Sequence, residues 1–245
     1  MSKELAESLK KCKVQGDTLF LPPITDGALP NYNEVKTALL KAGAKYNKNS
    51  FVFPDDAQQY IDKLTGGESI NIQKQFQFFE TNSNLGDDLV FEAHIESNHS
   101  VLEPSAGRGA IINAIHRRYC NVTVDYCELM DLNRNHLSKL SNVNFLCDDF
   151  LELKSKPTYD RIIANPPFKS NQDILHILKM YEMLKKGGRL VSIASKHWQH
   201  STNKKETEFR NWLKEVGAVV REIEAGEFKE SGTNVATVMI IINKK

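Results

Sequence analysis

From about Asn71 to the C-terminus, apolar runs of strand length alternate with stretches of helical periodicity. That alternation is the signature of βαβ units, because a strand followed by an amphipathic helix can return to a parallel neighbour and bury its apolar face on the way. The runs are Ser100–Glu103, Thr123–Glu128, Val143–Cys147, Arg161–Ala164, Arg189–Ala194, Val219–Ile223 and Val235–Ile242. They predict an α/β fold with one doubly wound, mostly parallel sheet of seven strands. Only Glu224–Asn234 joins the last two runs, too short for a helical crossover, so the last strand is expected to be antiparallel.

Residues 1–75 read as a small α+β module ahead of the alternating domain at 76–245. Pro22-Pro23, Gly27 and Pro30 interrupt the module before a helical stretch from Tyr32 to Ala42. A short Phe51-Val52-Phe53 strand and a helix near Asp55–Leu64 follow, and Gly66-Gly67 is either a hinge or a helix cap. There is no internal repeat or low-complexity tract.

Charge is nearly balanced, with 32 Lys+Arg against 31 Asp+Glu, so contact with a nucleic acid must come from a local basic surface. Cys12, Cys120, Cys127 and Cys147 form no CxxC pair and no Cys/His quartet, so no metal is expected and free thiols in a reducing compartment are the simplest reading. The chain has no signal-peptide pattern and no run approaching the roughly 18–20 apolar residues of a membrane span, which places it in the cytoplasm without a membrane partner.

Val101-Leu102-Glu103-Pro104-Ser105-Ala106-Gly107-Arg108-Gly109 follows a predicted strand and opens a helix, Ala110–Tyr119. A glycine turn there lets a ligand approach backbone next to a helix N-terminus, although a tight βα turn needs no ligand. About twenty residues on, Glu128 ends the second strand where a carboxylate can accept from ribose hydroxyls, with Leu129 beside it. After the third strand, Asp149 offers an acceptor for an adenine amino group and Phe150 a ring to cover its face; a solvated acidic turn with a core phenylalanine is the alternative.

The fourth strand ends in Asn165-Pro166-Pro167-Phe168. Two prolines fix φ and remove two N–H donors, so carbonyls and the Asn amide can turn to a ligand. Asn165 and the Pro166 carbonyl can accept from one NH2 group and aim its lone pair at an electrophilic methyl, while Phe168 stacks on the ring carrying the amine.

In order and spacing these elements resemble the class I S-adenosylmethionine-dependent methyltransferases, specifically the N6-adenine DNA methyltransferases with an Asn-Pro-Pro-aromatic tetrad. The resemblance runs from about Phe76 to the C-terminus, roughly the last 70% of the chain, and implies a Rossmann-like catalytic domain using S-adenosylmethionine. Gln77-Phe78-Phe79-Glu80-Thr81 sits where such enzymes carry a Phe-x-x-Thr-Pro segment over the methionine end of the cofactor, with Asn82 in place of the proline. By this resemblance Phe79 and Thr81 cover the methionine end, Glu103 and Gly107 line the methionine moiety, Glu128 the ribose, and Asp149 with Phe150 the adenine, while Pro104, Ser105, Ala106, Gly109, Leu129 and Asn165 belong to the same cofactor-binding set. Leu184–Leu190 resembles the turn into the fifth strand of the superfamily, and Glu227–Thr233 resembles phage- and plasmid-borne members.

The implied function is N6-methylation of adenine in DNA, on a base flipped from the stack. Sequence-specific relatives carry a separate recognition domain after the core; here specificity is low or is supplied by residues 1–75, by loops or by a partner. Between Lys185 and Lys214 eight Lys+Arg face Glu206 and Glu208, with His197, Trp198 and His200 among them. Lys196 and Trp198 are therefore candidate substrate contacts beside Phe168, against the alternative of a solvated face. Other readings are cytosine-N4 or RNA base methylation, protein-glutamine methylation, whose family generally has Tyr in the aromatic place, and a nucleic-acid-binding module without catalysis, which the intact tetrad opposes.

Overall fold

The computed structural model describes residues 3–23, 29–68, 70, 81–223 and 236–245, and the chain divides into two compact units, Met1–Phe78 and Phe79–Lys245. The first unit holds α1 (Lys3–Lys10), β1 (Lys13–Gln15), β2 (Thr18–Phe20), α2 (Tyr32–Lys41), β3 (Lys45–Asn47), β4 (Ser50–Val52) and α3 (Ala57–Thr65). Its strands form an antiparallel sheet in the order β1-β2-β4-β3. Val14, Leu19, Phe51 and Tyr46 share one cross-strand row, with Leu19 and Phe51 buried. Helix α3 ends in a Schellman motif: Gly67 N–H donates to Leu64 O (3.3 Å) and Glu68 N–H to Lys63 O (3.0 Å). Gly67 at φ 95° supplies the left-handed residue this needs, so the glycine pair caps a helix.

The second unit contains α4 (Ser83–Ala93), β5 (Val101–Glu103), α5 (Ala110–Arg118), β6 (Val124–Cys127), α6 (Asp131–Leu137), β7 (Val143–Cys147), β8 (Tyr159–Ala164), α7 (Gln172–Glu182), β9 (Leu184–Ser195), α8 (His197–His200), α9 (Lys204–Glu215), β10 (Val219–Glu222) and β11 (Thr237–Asn243). The seven strands lie in the order β10-β11-β9-β8-β5-β6-β7. Strands β5 to β9 pair in parallel, and β11 pairs antiparallel with both β9 and β10 as expected. Strand β9 begins before the expected Arg189, because Leu184 pairs with Tyr159 ahead of an irregularity that contains Gly187 at φ 74°.

Alternation along the strands builds two cores. Val101, Ile163, Val191 and Ile241 join α4 and α5 on one face, while Leu102, Ile162, Leu190 and Ile240 join α7, Trp198 and α9 on the other. Interior strands are apolar on both faces, so Thr237–Ile242 are all buried. Strands β5 to β9 all point the same way, so their C-terminal ends form one edge. The strand order reverses between β5 and β8, opening a crevice there.

Candidate cofactor and substrate site

At the end of β5, Glu103 is buried and accepts from the Ile112 N–H, while its Oε2 has no hydrogen-bond partner among the described residues. Burial first, and the neighbouring charge of Glu128 second, push its carboxyl well above the usual carboxylate range. A buried carboxylate with an unanswered oxygen is a place for a cation or a donor. The chain then turns through Gly107 (φ 55°) and Gly109 (φ 79°) into α5. Gly107 N–H donates to Glu128 Oε2 (2.7 Å), and Ala106 N–H donates to Cys127 O (3.0 Å), so the turn is tied to the end of β6. Pro104 is buried beneath it. Gly109 has a packing role: a Cβ there would lie 2.9 Å from Leu137 Cδ2, and its φ is left-handed.

Glu128 is the hub of this edge. Its Oε1 also accepts from Met130 N–H (2.8 Å) and Asn133 Nδ2 (3.1 Å). Burial raises its pKa, against the lowering by these bonds. Leu129, next in sequence, is 53% exposed, an apolar side chain left open between Glu128 and the β7 end. Arg134 donates to the carbonyls of Glu128 (3.0 Å) and Leu129 (2.7 Å) and pairs with Asp148 (2.9 Å), joining the two strand ends.

Asp149 accepts from Leu151 N–H (2.8 Å) and starts a 3-10 turn at Phe150–Glu152. The Phe150 ring is 2% exposed and packs against His176, with centroids 5.3 Å apart. Of the two readings given above, cover over adenine or core phenylalanine, the packing favours the core.

At the end of β8, Asn165 Nδ2 donates to Thr81 Oγ1 (3.1 Å). The bond joins residues 84 apart in sequence and fixes the amide, with Nδ2 toward Thr81 and Oδ1 facing the other way. Asn82, which stands where the resembling enzymes carry a proline, is the N-cap of α4 and accepts from Leu85 N–H (2.9 Å). Pro166 is buried, whereas Pro167 and Phe168 keep partial exposure. Phe79 and the Glu227–Thr233 segment lie outside the described residues.

Two expectations need correction: Trp198 as a substrate contact, and the basic stretch as one surface. Trp198 is 4% exposed and edge-on to Phe209 (5.2 Å, 84°), so it is a core residue and offers no stacking face. Lys196 pairs with Glu222 (2.9 Å) on β10. The basic stretch is not one surface: Lys185 and Arg189 stand at the opposite end of β9 from Ser195 and pair with Asp160 (2.8 Å) and Glu92 (3.4 Å). Arg210 donates to the Trp198 and Ser201 carbonyls.

Sequence reasoning missed Asp173 and His176, two polar residues on the apolar stripe of α7 that also carries Ile177 and Met180, all buried. That misplacement on an otherwise core-facing row was the available signal. His176 lies 3.3 Å from Ser105 Oγ through Nδ1, and burial holds its pKa down at about 4 from 6.5. As pH falls from 6.5 towards 4, the unfolded chain takes up a proton that the folded state refuses, so stability declines across that window. We expect the thermal midpoint to fall over that range, and to fall less in His176→Gln. An identical pH profile in the variant would exclude His176 as a source of the acid sensitivity.

Among the described residues no group of three or more His, Cys, Asp or Glu side chains is placed to hold a metal ion, and no helix is long and apolar enough to cross a membrane.

A doubly wound sheet in this strand order, with a glycine turn after its central strand and an acidic residue closing the next, defines a class I methyltransferase fold. Solved structures share it. The type I restriction-modification methyltransferase subunit from Streptococcus thermophilus superposes with a TM-score of 0.60 at 19% identity, over 78% of this chain and 48% of that one. The M protein of the type I restriction enzyme EcoKI gives 0.59 at 14% identity, over 98% and 56%. TrmN from Thermus thermophilus gives 0.50 at 21%, over 66% and 49%. At these identities the likeness is one of fold, and this chain spans about half the length of those proteins. No curated protein sequence matched. The family model of the methyltransferase small domain matches residues 81–222, and the chain belongs to that family. Its cofactor is S-adenosylmethionine, and the site fits it: Glu103 Oε2, buried and without a partner among the described residues, is suited to the cationic methionine end.

Proposed function

We propose that this protein transfers a methyl group from S-adenosylmethionine to the exocyclic amino nitrogen of adenine in DNA. The observation that carries the reading is the Asn165-Pro166-Pro167-Phe168 loop at the switch-point edge of the sheet, with Asn165 oriented by Thr81. The type I methyltransferase subunits among the structural neighbours are consistent with a DNA substrate.

S-adenosylmethionine supplies the methyl on a sulfonium centre. Glu103 would hold the cationic methionine end, Glu128 would accept from one ribose hydroxyl through the remaining lone pair of Oε2, and Asp149 would meet the adenine amino group. On the substrate side, Asn165 Oδ1 and the Pro166 carbonyl accept the two N–H bonds of the amine, localising its lone pair. The same dipoles stabilise the positive charge that grows on nitrogen during in-line attack, as the new N–C bond forms and the bond from sulfonium to methyl breaks to leave a neutral thioether; the nitrogen then gives up one of its protons to solvent. No side-chain nucleophile is needed, and the chain contributes chiefly position. An amine inside a duplex is out of reach, so the base comes from a flipped or single-stranded nucleotide and stacks on Phe168.

Glu128→Ala is expected to weaken S-adenosylmethionine binding by on the order of 1.5–3 kcal/mol per charge-assisted hydrogen bond lost. Calorimetry reads this directly, and unchanged affinity would remove Glu128 from the site. The substrate class is tested by offering methyl-labelled cofactor with separate DNA, RNA and protein pools. Label is expected in DNA; label confined to RNA or protein would overturn the reading.

A further inference from the structure

Directly after Phe168 the chain makes a 3-10 turn, Lys169–Asn171, before α7 begins. Ser170 (φ 55°) and Asn171 (φ 61°) are both left-handed, and neither is glycine. A side chain disfavours that region, Asn less than most, and two such residues in succession need support from their surroundings.

The restraint comes from α9. Asn171 stands at the N-cap position of α7, yet its side chain caps nothing; its Nδ2 donates to Glu206 Oε1 at 3.0 Å. Glu206 is 2% exposed, and the same oxygen receives Asn203 Nδ2 (3.3 Å) and His197 Nε2 (3.1 Å). On the other side of the junction Asp173, fully buried, accepts from Ser195 N–H (3.0 Å) and Oγ (2.8 Å). Ser195 Oγ in turn lies 3.5 Å from His197 Nδ1. Two buried carboxylates, one on α7 and one on α9, thus bracket the end of β9 and the turn behind the tetrad.

We propose that Glu206 is a positioning residue for methyl transfer: by holding Asn171 left-handed it fixes the turn behind Phe168, and so sets the Asn165–Phe168 loop against the incoming amine. This rests on the tetrad reading above. The bonds from Asn171, Asn203 and His197 hold the Glu206 carboxyl down at about 2, so the restraint stays ionised at neutral pH. Glu206 touches no reacting atom, and its effect passes through the loop alone.

The test compares steady-state kinetics, per folded molecule, of Glu206→Ala, Glu206→Gln, Asn171→Ala and Asn171→Gly with Asn165→Ala. Glu206→Ala should lower kcat by on the order of 10- to 100-fold, the scale of a small misplacement, with cofactor affinity unchanged. Glu206→Gln, which keeps an Oε1 acceptor, should restore most of it. Adding Asn171→Gly to Glu206→Ala should recover turnover in part, because glycine adopts the left-handed turn without restraint; a purely stabilising carboxylate would show no such recovery. The same contrast avoids any folding defect of Glu206→Ala: Asn171→Ala should be slow and Asn171→Gly close to wild type. Wild-type kcat in both Glu206→Ala and Asn171→Ala, with Asn165→Ala inactive, would overturn the inference. Wild-type turnover in Asn165→Ala would instead defeat the tetrad reading on which it rests.

Discussion

Replacement of Asn165 by Ala is expected to lower kcat by roughly 100-fold or more while affinity for S-adenosylmethionine changes little, as when one preorganised transition-state dipole is removed. The split follows from where the side chain acts. Its acceptor oxygen faces away from Thr81 and is assigned to an amine that gains charge only as the new bond forms, so the loss falls on turnover. Asn165→Asp keeps an acceptor oxygen and adds negative charge near the sulfonium, and should retain partial activity. Phe168→Ala differs, because it removes base stacking worth about 1–3 kcal/mol and so raises KM as well. Kinetics on an adenine-containing oligonucleotide separate the three. Wild-type turnover in Asn165→Ala would reduce the tetrad to a proline-stiffened loop.

The second large effect concerns stability. Trp198 begins a run of ring contacts that continues through Phe209 and Trp212 to Tyr181, in the core between the sheet and α9. Trp198→Ala should cost about 3–5 kcal/mol, a large share of the roughly 5–15 kcal/mol that holds a domain folded. Its buried Nε1 meets no acceptor among the described residues, and a buried donor left unpaired costs about 1–3 kcal/mol. Trp198→Phe removes that donor and keeps an aromatic ring, so it should cost much less. Denaturant unfolding measures both. A Trp198→Ala protein of wild-type stability with weakened nucleic-acid binding would return the indole to the substrate surface.

Why the sequence misassigned Trp198 is instructive. An aromatic residue just past a strand can point to ligand or core, and the four-residue helix His197–His200 is too short for a periodic stripe to decide. Lys196 meets Glu222 across strands far apart in sequence, which no local pattern encodes. The position of Lys185 and Arg189 was readable: in a parallel strand, residues at its start lie at the edge opposite the site. In the first unit, three-residue strands such as Lys45–Asn47, exposed throughout, give no alternation to detect.

What was legible rested on longer signals. Interior strand positions followed from apolar runs buried on both faces, the exposed edge strands β7 and β10 from shorter apolar runs, and the antiparallel last strand from a connection too short for a helix. The glycine turn and Glu128 were legible as neighbours in space, and Gly107 N–H does donate to the Glu128 carboxylate. The Asn171–Glu206 bond spans 35 residues between two polar side chains, and only the fold brings them together.

Nucleoside mass spectrometry of DNA incubated with the protein and S-adenosylmethionine tests the central claim most directly. The tetrad at the end of β8 predicts N6-methyladenine as the product; N4-methylcytosine, or a base methylated on carbon or a ring nitrogen, as the sole product would contradict it.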